Sequence, residues 1–151
     1  MMDSIPEGVR ALVGVTRTRH VVVSAGEIER FAQAVGATVT RRAGTVEAPL
    51  LFCQALAFEP VSIAELPADG SPRELDVPDL PARRTVGGSS EYVIHRPVRA
   101  GEMVTVRSQL KEVTSKHGKS GELFMVVVET SFTDALGRPI ASELATFIKR
   151  A

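Results

Sequence analysis

Residues 48–58 read Ala-Pro-Leu-Leu-Phe-Cys-Gln-Ala-Leu-Ala-Phe, a run whose one polar side chain is Gln54. A proline in the first turn of a helix costs no hydrogen bond, so Pro49 permits a helix to begin here. A helix without a polar face must be buried to be stable in water. The stretch therefore predicts a central core helix.

A second helix is predicted upstream of this stretch. Ser24-Ala25-Gly26-Glu27 has the spacing of a capping box, in which the serine hydroxyl and the glutamate carboxylate satisfy two orphan backbone amides. Gly36 lies where a glycine commonly ends a helix. The apolar residues between these signals recur at helical spacing: Ile28, Phe31, Ala32 and Val35. The pattern predicts an amphipathic helix over residues 25–35.

Downstream of residue 85 the hydrophobic period becomes that of strands. Alternation over residues 104–110 predicts a half-buried strand, and the other predicted strands are 91–96, 124–133 and 139–149. Residues 116–121 are predicted to form a hairpin loop. With a β-branched strand at 20–23, this layout predicts an α+β fold in which an antiparallel sheet of about five strands wraps around the buried helix.

A long connection precedes these strands. Residues 59–84 are rich in proline and aspartate, with isolated apolar anchors at Leu75 and Leu80. Loops of this length in compact domains tend to be functional or to wrap a partner.

Length and charge limit the classes of function. A chain of 151 residues fits one domain, 1–151, and its 18 basic and 18 acidic residues imply no general attraction for nucleic acid or an anionic membrane. Three scattered histidines have no metal-ligand spacing, so no metal is expected. The single cysteine, Cys53, and the lack of a basic-then-apolar leader favour a cytoplasmic protein. The longest apolar run, 123–128, is too short to span a bilayer.

Several segments resemble one enzyme family. Residues 23–32 are similar to its entry helix, and Ala48-Pro49-Leu50-Leu51-Phe52 is similar to its Ala-Pro-Pro-x-Phe start of the central helix. Residues 87–92 and then 95–102 resemble its strand followed by Arg-Pro-x-x-x-Gly-Asp. The family is that of the MaoC-like dehydratase N-terminal domains, or FAS1-type dehydratases. The resemblance covers nearly the whole chain and implies the hot-dog fold.

The chain departs from this family at the catalytic positions. Members carry Gly-Asp-x-Asn-Pro-x-His after the entry helix, whereas here Ala37 stands for the aspartate and Arg42 for the histidine. The connection over residues 37–47 is also shorter than the family's overhang of about two dozen residues, which is itself long for a connection. Reversible dehydration needs an acid and a base. The resemblance therefore implies a dehydratase or hydratase subunit that binds a 3-hydroxyacyl-CoA or acyl-carrier-protein thioester beside a catalytic hot-dog partner.

The same resemblance implies where the substrate lies and needs no resident cofactor, since the CoA or phosphopantetheine thioester is the substrate. Arg41 and Arg42 could meet a phosphate of that thioester, or they are an ordinary exposed pair. Gly87 and Gly88 lie near the acyl chain in the family, or they mark a bulge. The remaining substrate contacts implied are Ala48, Leu50, Leu51 and Ala55.

Two alternatives keep the fold and change the function. The first is a thioesterase or cyclase that works through Glu47, which precedes the central helix, or through His95, whose side chain could face the sheet interior or water. Glu47 could equally complement the helix dipole. The second is a non-enzymatic homodimer that holds a lipid or polyketide. Each reading predicts a homodimer or heterodimer, because an open sheet leaves an edge strand to be covered.

Overall fold

The computed structural model of the protein describes residues 5–59, 61–66, 78, 80–82, 84–118 and 121–150. Three short or medium helices precede most of the sheet: α1 (Glu7–Arg10), α2 (Ala25–Val35) and α3 (Phe52–Ala57), with a 3₁₀ helix at Ile63–Glu65. The strands are β1 (Thr16–Val22), β2 (Thr40–Arg42), β3 (Thr45–Glu47), β4 (Arg84–Ile94), β5 (Met103–Gly118), β6 (Gly121–Thr133) and β7 (Pro139–Arg150).

Five of these strands form one antiparallel sheet in the order β1-β5-β6-β7-β4. Helix α3 packs against one face of this sheet, which we call the inner face, through Phe52, Cys53 and Leu56. This is the α+β hot-dog arrangement predicted from the sequence. Strands β1 and β4 are the two edges of the sheet.

The strands differ in length from the prediction. Strand β4 spans Arg84–Ile94 and not 91–96, so Arg96 lies beyond its end. Strands β5 and β6 continue to a Gly118–Gly121 pair, so the predicted loop over 116–121 is largely strand, with Lys119 and Ser120 outside the described residues. The strand ends that were not predicted carry polar residues on both faces, so they lack the apolar–polar alternation of a half-buried strand. The backbone pairing nevertheless continues through them.

Helix α2 confirms its predicted bounds and cap. The backbone N–H of Ser24 donates to Glu27 Oε2 at 2.8 Å, and that of Glu27 donates to Ser24 Oγ at 3.2 Å. Hydrogen bonds from Ser24 hold the pKa of Glu27 below its usual value. Gly36 ends the helix with φ +67°. Val35, predicted on the apolar face, is exposed because the last turn extends past the core.

The connection over residues 37–47 is a small hairpin, which the sequence did not predict. Strands β2 and β3 pair from Thr40 opposite Glu47, and Ala43 (φ 50°) and Gly44 (φ 77°) both adopt the left-handed turn conformation that suits two-residue hairpins. The backbone N–H of Ala100 also donates to the Val46 carbonyl at 2.9 Å. Three-residue strands are too short to produce a readable period.

Helix α3 corrects the prediction for residues 48–58. It begins at Phe52, and Pro49 lies in the turn before it. The Pro49 carbonyl accepts a hydrogen bond from the Phe52 N–H at 2.9 Å. The predicted burial on all sides is wrong for this chain by itself, since one side of the segment is exposed. The exposed residues are Leu50, Leu51, Gln54, Ala55 and Phe58. Burial of that side needs a surface that the described part of the chain does not supply.

Two apolar clusters cover opposite ends of the inner face. The first joins α3 to α2, β5, β6 and β7, and includes an edge-to-face contact between Phe31 and Phe52 with ring centroids 5.4 Å apart. The second lies under α1, which the sequence did not predict, and includes the predicted anchor Leu80. Leu75 lies outside the described residues. None of the helices in the described residues is long and apolar enough to cross a membrane.

Candidate functional site

A row of polar side chains crosses the inner face between the two apolar clusters. The register places one residue on each strand, each opposite the next: Arg17, Ser108, Thr130, Glu143 and Tyr92. We call this set the polar row. Thr130 and Glu143, at its centre, are 7% and 9% exposed, whereas Tyr92 on the edge strand is only half-buried. The centre of the row is thus enclosed, and exposure increases toward both edge strands, since Arg17 on β1 is exposed.

Tyr92 and Glu143 form a short hydrogen bond within the polar row. The Tyr92 hydroxyl donates to Glu143 Oε1 at 2.6 Å, a short distance typical of a hydrogen bond to a carboxylate. Burial, this hydrogen bond and the carboxylate charge raise the pKa of Tyr92 well above its usual range. Tyr92 therefore stays protonated and acts as a donor. No cation pairs with Glu143 within the described residues.

Cys53 of α3 lies near this pair. Burial raises the pKa of the Cys53 thiol, and the nearby Glu143 charge raises it further. The Cys53 Sγ lies 3.6 Å from the Leu50 carbonyl oxygen. The residue as a whole is 1% exposed. A buried thiol with a raised pKa is a poor nucleophile. Cys53 therefore contributes to core packing near the polar row.

Sequence analysis did not identify the polar row, although a signal was present. Glu143 occupies the buried phase of β7, between Ala141 and Ala145, and Thr130 occupies the same phase of β6. Tyr92 is the single tyrosine of the chain. A charged residue in the buried phase of a strand is unusual and needs a partner. Which of these residues lie opposite one another depends on the register of three strands, and that register cannot be read from the sequence.

The residues at the two family catalytic positions do not form an acid–base pair. Ala37 follows α2, and its N–H donates to the Ala32 carbonyl at 2.8 Å. Arg42 ends β2 and is exposed. Neither side chain can act as a general base at neutral pH, because one is a methyl group and the other is a permanently charged guanidinium.

Glu47 is held in an ion pair. It is 8% exposed, and the Arg99 Nε donates to its Oε1 at 3.0 Å while β3 pairs with residue 99 in an isolated bridge. The pair ties the β2–β3 hairpin to the turn before β5. This contact accounts for a buried carboxylate at this position without catalysis, so the predicted role as a base stays a prediction.

His95, Arg41 and Arg42 lie on the surface. His95 follows Ile94, which packs with the first apolar cluster, so its own side chain faces outward and is exposed. Arg41 pairs with Glu29 of α2 at 2.8 Å, and both side chains are about half-exposed. The structure brings none of these residues into a hydrogen bond with Glu47 within the described residues.

The predicted substrate-contacting residues divide between a buried and an exposed group. Ala48 is 6% exposed and belongs to the first apolar cluster, whereas Leu50, Leu51 and Ala55 are exposed. Gly87 and Gly88 lie at a bulge in β4, as one of the two readings predicted. A Cβ on Gly88 would meet the Thr146 carbonyl oxygen at 2.9 Å, so close backbone approach requires glycine there. Gly88 therefore has a backbone role whether or not a ligand lies near it, whereas a side chain at Gly87 would meet no neighbouring atom.

We use the name open side for exposed β4 together with exposed Leu50 and Leu51, which precede α3. Every residue from Arg84 to Glu91 is exposed, although the strand is paired with β7 along its length. One edge of β4 pairs with no other strand of this sheet within the described residues. Unpaired strand edges and exposed leucines favour association with another protein surface.

The opposite corner of the sheet is closed by an ion-pair network. Arg96 donates to Glu102 at 2.6 Å and to Asp134 at 3.3 Å, and Asp134 also accepts from the backbone N–H groups of Leu136 and Arg138 at 2.9 Å. Burial opposes ionisation of Asp134, but the backbone N–H groups of Arg138 and Leu136 and the Arg138 guanidinium lower its pKa to about 2. We call Arg96, Glu102 and Asp134 the Arg96 corner. It corresponds to the Arg-Pro-x-x-x-Gly-Glu segment and is structural.

Within the described residues, no group of histidine, cysteine, aspartate and glutamate side chains has the geometry to hold a metal ion.

Comparisons with solved structures support the fold. The chain is similar to the HadBC (3R-hydroxyacyl-ACP dehydratase) complex of Mycobacterium tuberculosis, with TM-score 0.65 and 20% identity over 91% of this chain and 96% of that one. It is also similar to the R-hydratase PhaJ1 of Pseudomonas aeruginosa (TM-score 0.57, 18% identity, 91% and 81% covered). A third similar structure is the ChsH1-ChsH2 complex of Mycobacterium tuberculosis (0.61, 17%, 95% and 87%).

Sequence families are more decisive than these distant structures. No curated protein matches the chain. A family model does match, over residues 11–143, which is well over half of the sequence. The family is described as FAS1-like, dehydratase domain region. The chain therefore belongs to the FAS1-like dehydratase-region family of hot-dog proteins.

Proposed function

We propose that this chain is a substrate-binding subunit of a hot-dog dehydratase or hydratase, acting on a 3-hydroxyacyl or enoyl thioester of CoA or an acyl carrier protein. The observation that carries the proposal is the pair Ala37 and Arg42 at the family's catalytic positions, on a hairpin too short to hold the usual overhang. Family membership indicates the reaction class. The absence of the catalytic pair indicates that a second subunit provides the acid and the base.

The chemistry explains why a partner is needed. Dehydration requires a base for the α-proton, an acid for the leaving hydroxyl and donors for the enolate-like oxygen. Each positioned acid or base contributes about 10²–10⁴-fold. Without both groups at the family positions, this chain contributes binding and shape while a catalytic partner supplies proton transfer.

The open side is where that partner would bind. It combines an edge strand of 11 residues with exposed Leu50 and Leu51. Edge-to-edge pairing of β4 would satisfy its free backbone groups, and the same partner would cover the two leucines. HadBC and ChsH1-ChsH2 are each named as a complex of two proteins, which supports a heterodimer for this chain.

The test uses purified chain alone and the chain co-expressed with a hot-dog protein that carries an intact Gly-Asp-x-Asn-Pro-x-His motif. We expect no hydration of crotonyl-CoA above background by the chain alone, and hydration by the complex. Stereospecific hydration by the chain alone would contradict the proposal. If Glu47→Gln then abolished it while Glu29→Gln did not, the base would be Glu47.

The same samples test the two alternatives. Release of free CoA by the chain alone, lost in Glu47→Gln or His95→Gln, would establish a thioesterase. A stable homodimer that co-purifies with lipid and turns over no thioester, with or without a partner, would establish a binding module.

A further inference from the structure

The polar row is expensive as a purely structural feature. An ionised carboxylate enclosed between two apolar clusters loses hydration, and Tyr92 returns one hydrogen bond. An ionised carboxylate has about four acceptor positions and no donor. Glu143 therefore retains acceptor capacity that the described residues leave unused.

The hydroxyl groups beside Glu143 point to accessible space at the row. Ser108 and Thr130 make no side-chain hydrogen bond within the described residues. Yet every fully buried side-chain nitrogen and oxygen in those residues has a partner. The two hydroxyl oxygens are therefore in contact with space that water or a ligand can reach, even though Thr130 is 7% exposed as a residue.

The surroundings define the kind of ligand that fits. Apolar residues lie on both sides of the row: Phe132 and Ala141 toward the first cluster, Val128 and Ala145 toward the second end of the sheet. An alkyl chain alone would contact these residues but would displace water from Glu143 without replacing its hydrogen bonds. An alkyl chain with one hydroxyl group would satisfy both surroundings.

One hydroxyl can serve two of the row's residues. Thr130 and Glu143 are directly opposite each other on the same face, where Cβ atoms lie about 4.5–5.5 Å apart. A ligand oxygen above this pair can donate to the Glu143 carboxylate and accept from the Thr130 hydroxyl. Tyr92 holds Glu143 in position from the β4 side.

We propose that Glu143 and Thr130, positioned by Tyr92, bind the hydroxyl group of a hydroxylated acyl chain on the inner face of the sheet. This inference rests on the acyl-thioester function proposed above and names the chemical group that selects the substrate.

The test measures binding of dodecanoyl-CoA and of its 3-hydroxy, 6-hydroxy and 12-hydroxy derivatives to the full chain by isothermal titration calorimetry. We expect one hydroxylated derivative to bind about 10- to 100-fold more tightly than dodecanoyl-CoA, the range for a hydrogen bond to a charged group. Glu143→Leu should remove that preference and improve binding of dodecanoyl-CoA. Tyr92→Phe should reduce the preference less.

Glu129→Gln is the matched control. Glu129 neighbours Thr130 on β6 but is exposed on the other face, where it pairs with Lys111 at 3.2 Å. It should keep the preference of the wild type. Melting curves establish that each variant is folded. If Glu143→Leu does not fold, Tyr92→Phe still tests the proposal.

The two failures are distinguishable. Equal binding of all four thioesters to the wild type would overturn the hydroxyl site and leave the proposed function intact. Absence of binding by every thioester, with or without a catalytic partner, would overturn the proposed function and this inference with it. A third result, in which Glu143→Leu weakens subunit association but not ligand preference, would assign Glu143 to the partner and overturn the site.

Discussion

The Arg96 corner and the open side differ in how completely their polar and apolar groups are satisfied. At the corner, two carboxylates share one guanidinium and further backbone donors, and the Asp134 side chain is 5% exposed. At the open side, one edge of β4 pairs with no other strand in the described part of the chain, and Leu50 and Leu51 are 58% and 46% exposed. Both regions border the same inner face.

The difference separates what the chain needs to fold from what it needs to function. The corner connects the turn after β4 to the β6–β7 turn through side chains that belong to this chain. The open side gains little by remaining exposed, since unpaired strand edges invite association. We infer that the corner contributes to the folding of this chain by itself and that the proposed partner binds the open side.

Breaking the corner should have the largest effect on stability. Arg96→Met leaves Glu102 and Asp134 without their shared cation, and we expect a loss of about 2–3 kcal/mol in the free energy of unfolding. The value is below that of a fully buried pair because the Arg96 side chain is 26% exposed. Urea denaturation of the wild type and the variant measures the difference.

Arg138→Met is the control for that experiment. Arg138 also contacts Asp134, at 2.7 Å, but its side chain is 68% exposed. We expect a smaller loss, about 1 kcal/mol, because solvent screens the exposed guanidinium although it helps to lower the pKa of Asp134. Equal losses in the two variants would show that the corner has no special role.

Breaking the open side should change association and not folding. Leu51→Glu places a charge where a partner would bury an apolar group, so the dissociation constant of the dimer should rise about 100-fold, or about 2.8 kcal/mol. Unfolding of the monomer should change by about 0.5 kcal/mol or less. Sedimentation velocity over a concentration series gives the first quantity.

Val22→Glu is the control for Leu51→Glu. Val22 is 67% exposed on β1, the opposite edge of the sheet from β4. It should leave association unchanged. Loss of association in Val22→Glu alone would place the interface on β1 and contradict the comparison.

Acid sharpens the comparison through Asp134. Its folded pKa of about 2 lies below the ordinary value of 3.8, so its contribution to stability is present above 3.8 and is lost as the pH falls through about 2. Asp134→Asn removes this contribution at every pH. Melting temperatures from neutral pH to about pH 2 should therefore fall more steeply for the wild type than for the variant, and parallel curves would contradict the assignment.

Local signals in the sequence predicted α2 best. Its cap, period and terminal glycine all depend on residues within a few positions of one another. The extent of β4 and β5 was not readable, because their outer halves carry polar residues on both faces. The exposed side of α3 was mispredicted for a different reason. Its composition indicates burial, which this chain by itself does not provide.

The candidate site was harder to predict than the fold. The loss of the family pair at Ala37 and Arg42 was readable, because a motif is a local pattern. The polar row joins residues from all five strands, and its members are separated by up to about the length of the chain. Register between strands fixes that site, and register depends on the packed sheet. Glu143 in the buried phase of β7 was the one local clue.

The smallest expected effect compares one motif in two settings. Ser24 and Ser62 each form a capping box, the first at α2 beside the core and the second at the exposed 3₁₀ helix Ile63–Glu65 that follows α3. Ser24→Ala should cost about 1 kcal/mol, because it removes a cap from a helix whose Ile28 is fully buried. Ser62→Ala should cost less than about 0.5 kcal/mol, since every residue of its helix is exposed and local opening there need not unfold the sheet. Urea denaturation of both variants gives the comparison, with Ser24→Asp as a variant that retains a cap. Equal losses at the two serines would mean that the segment after α3 is as much a part of the cooperative fold as α2 is.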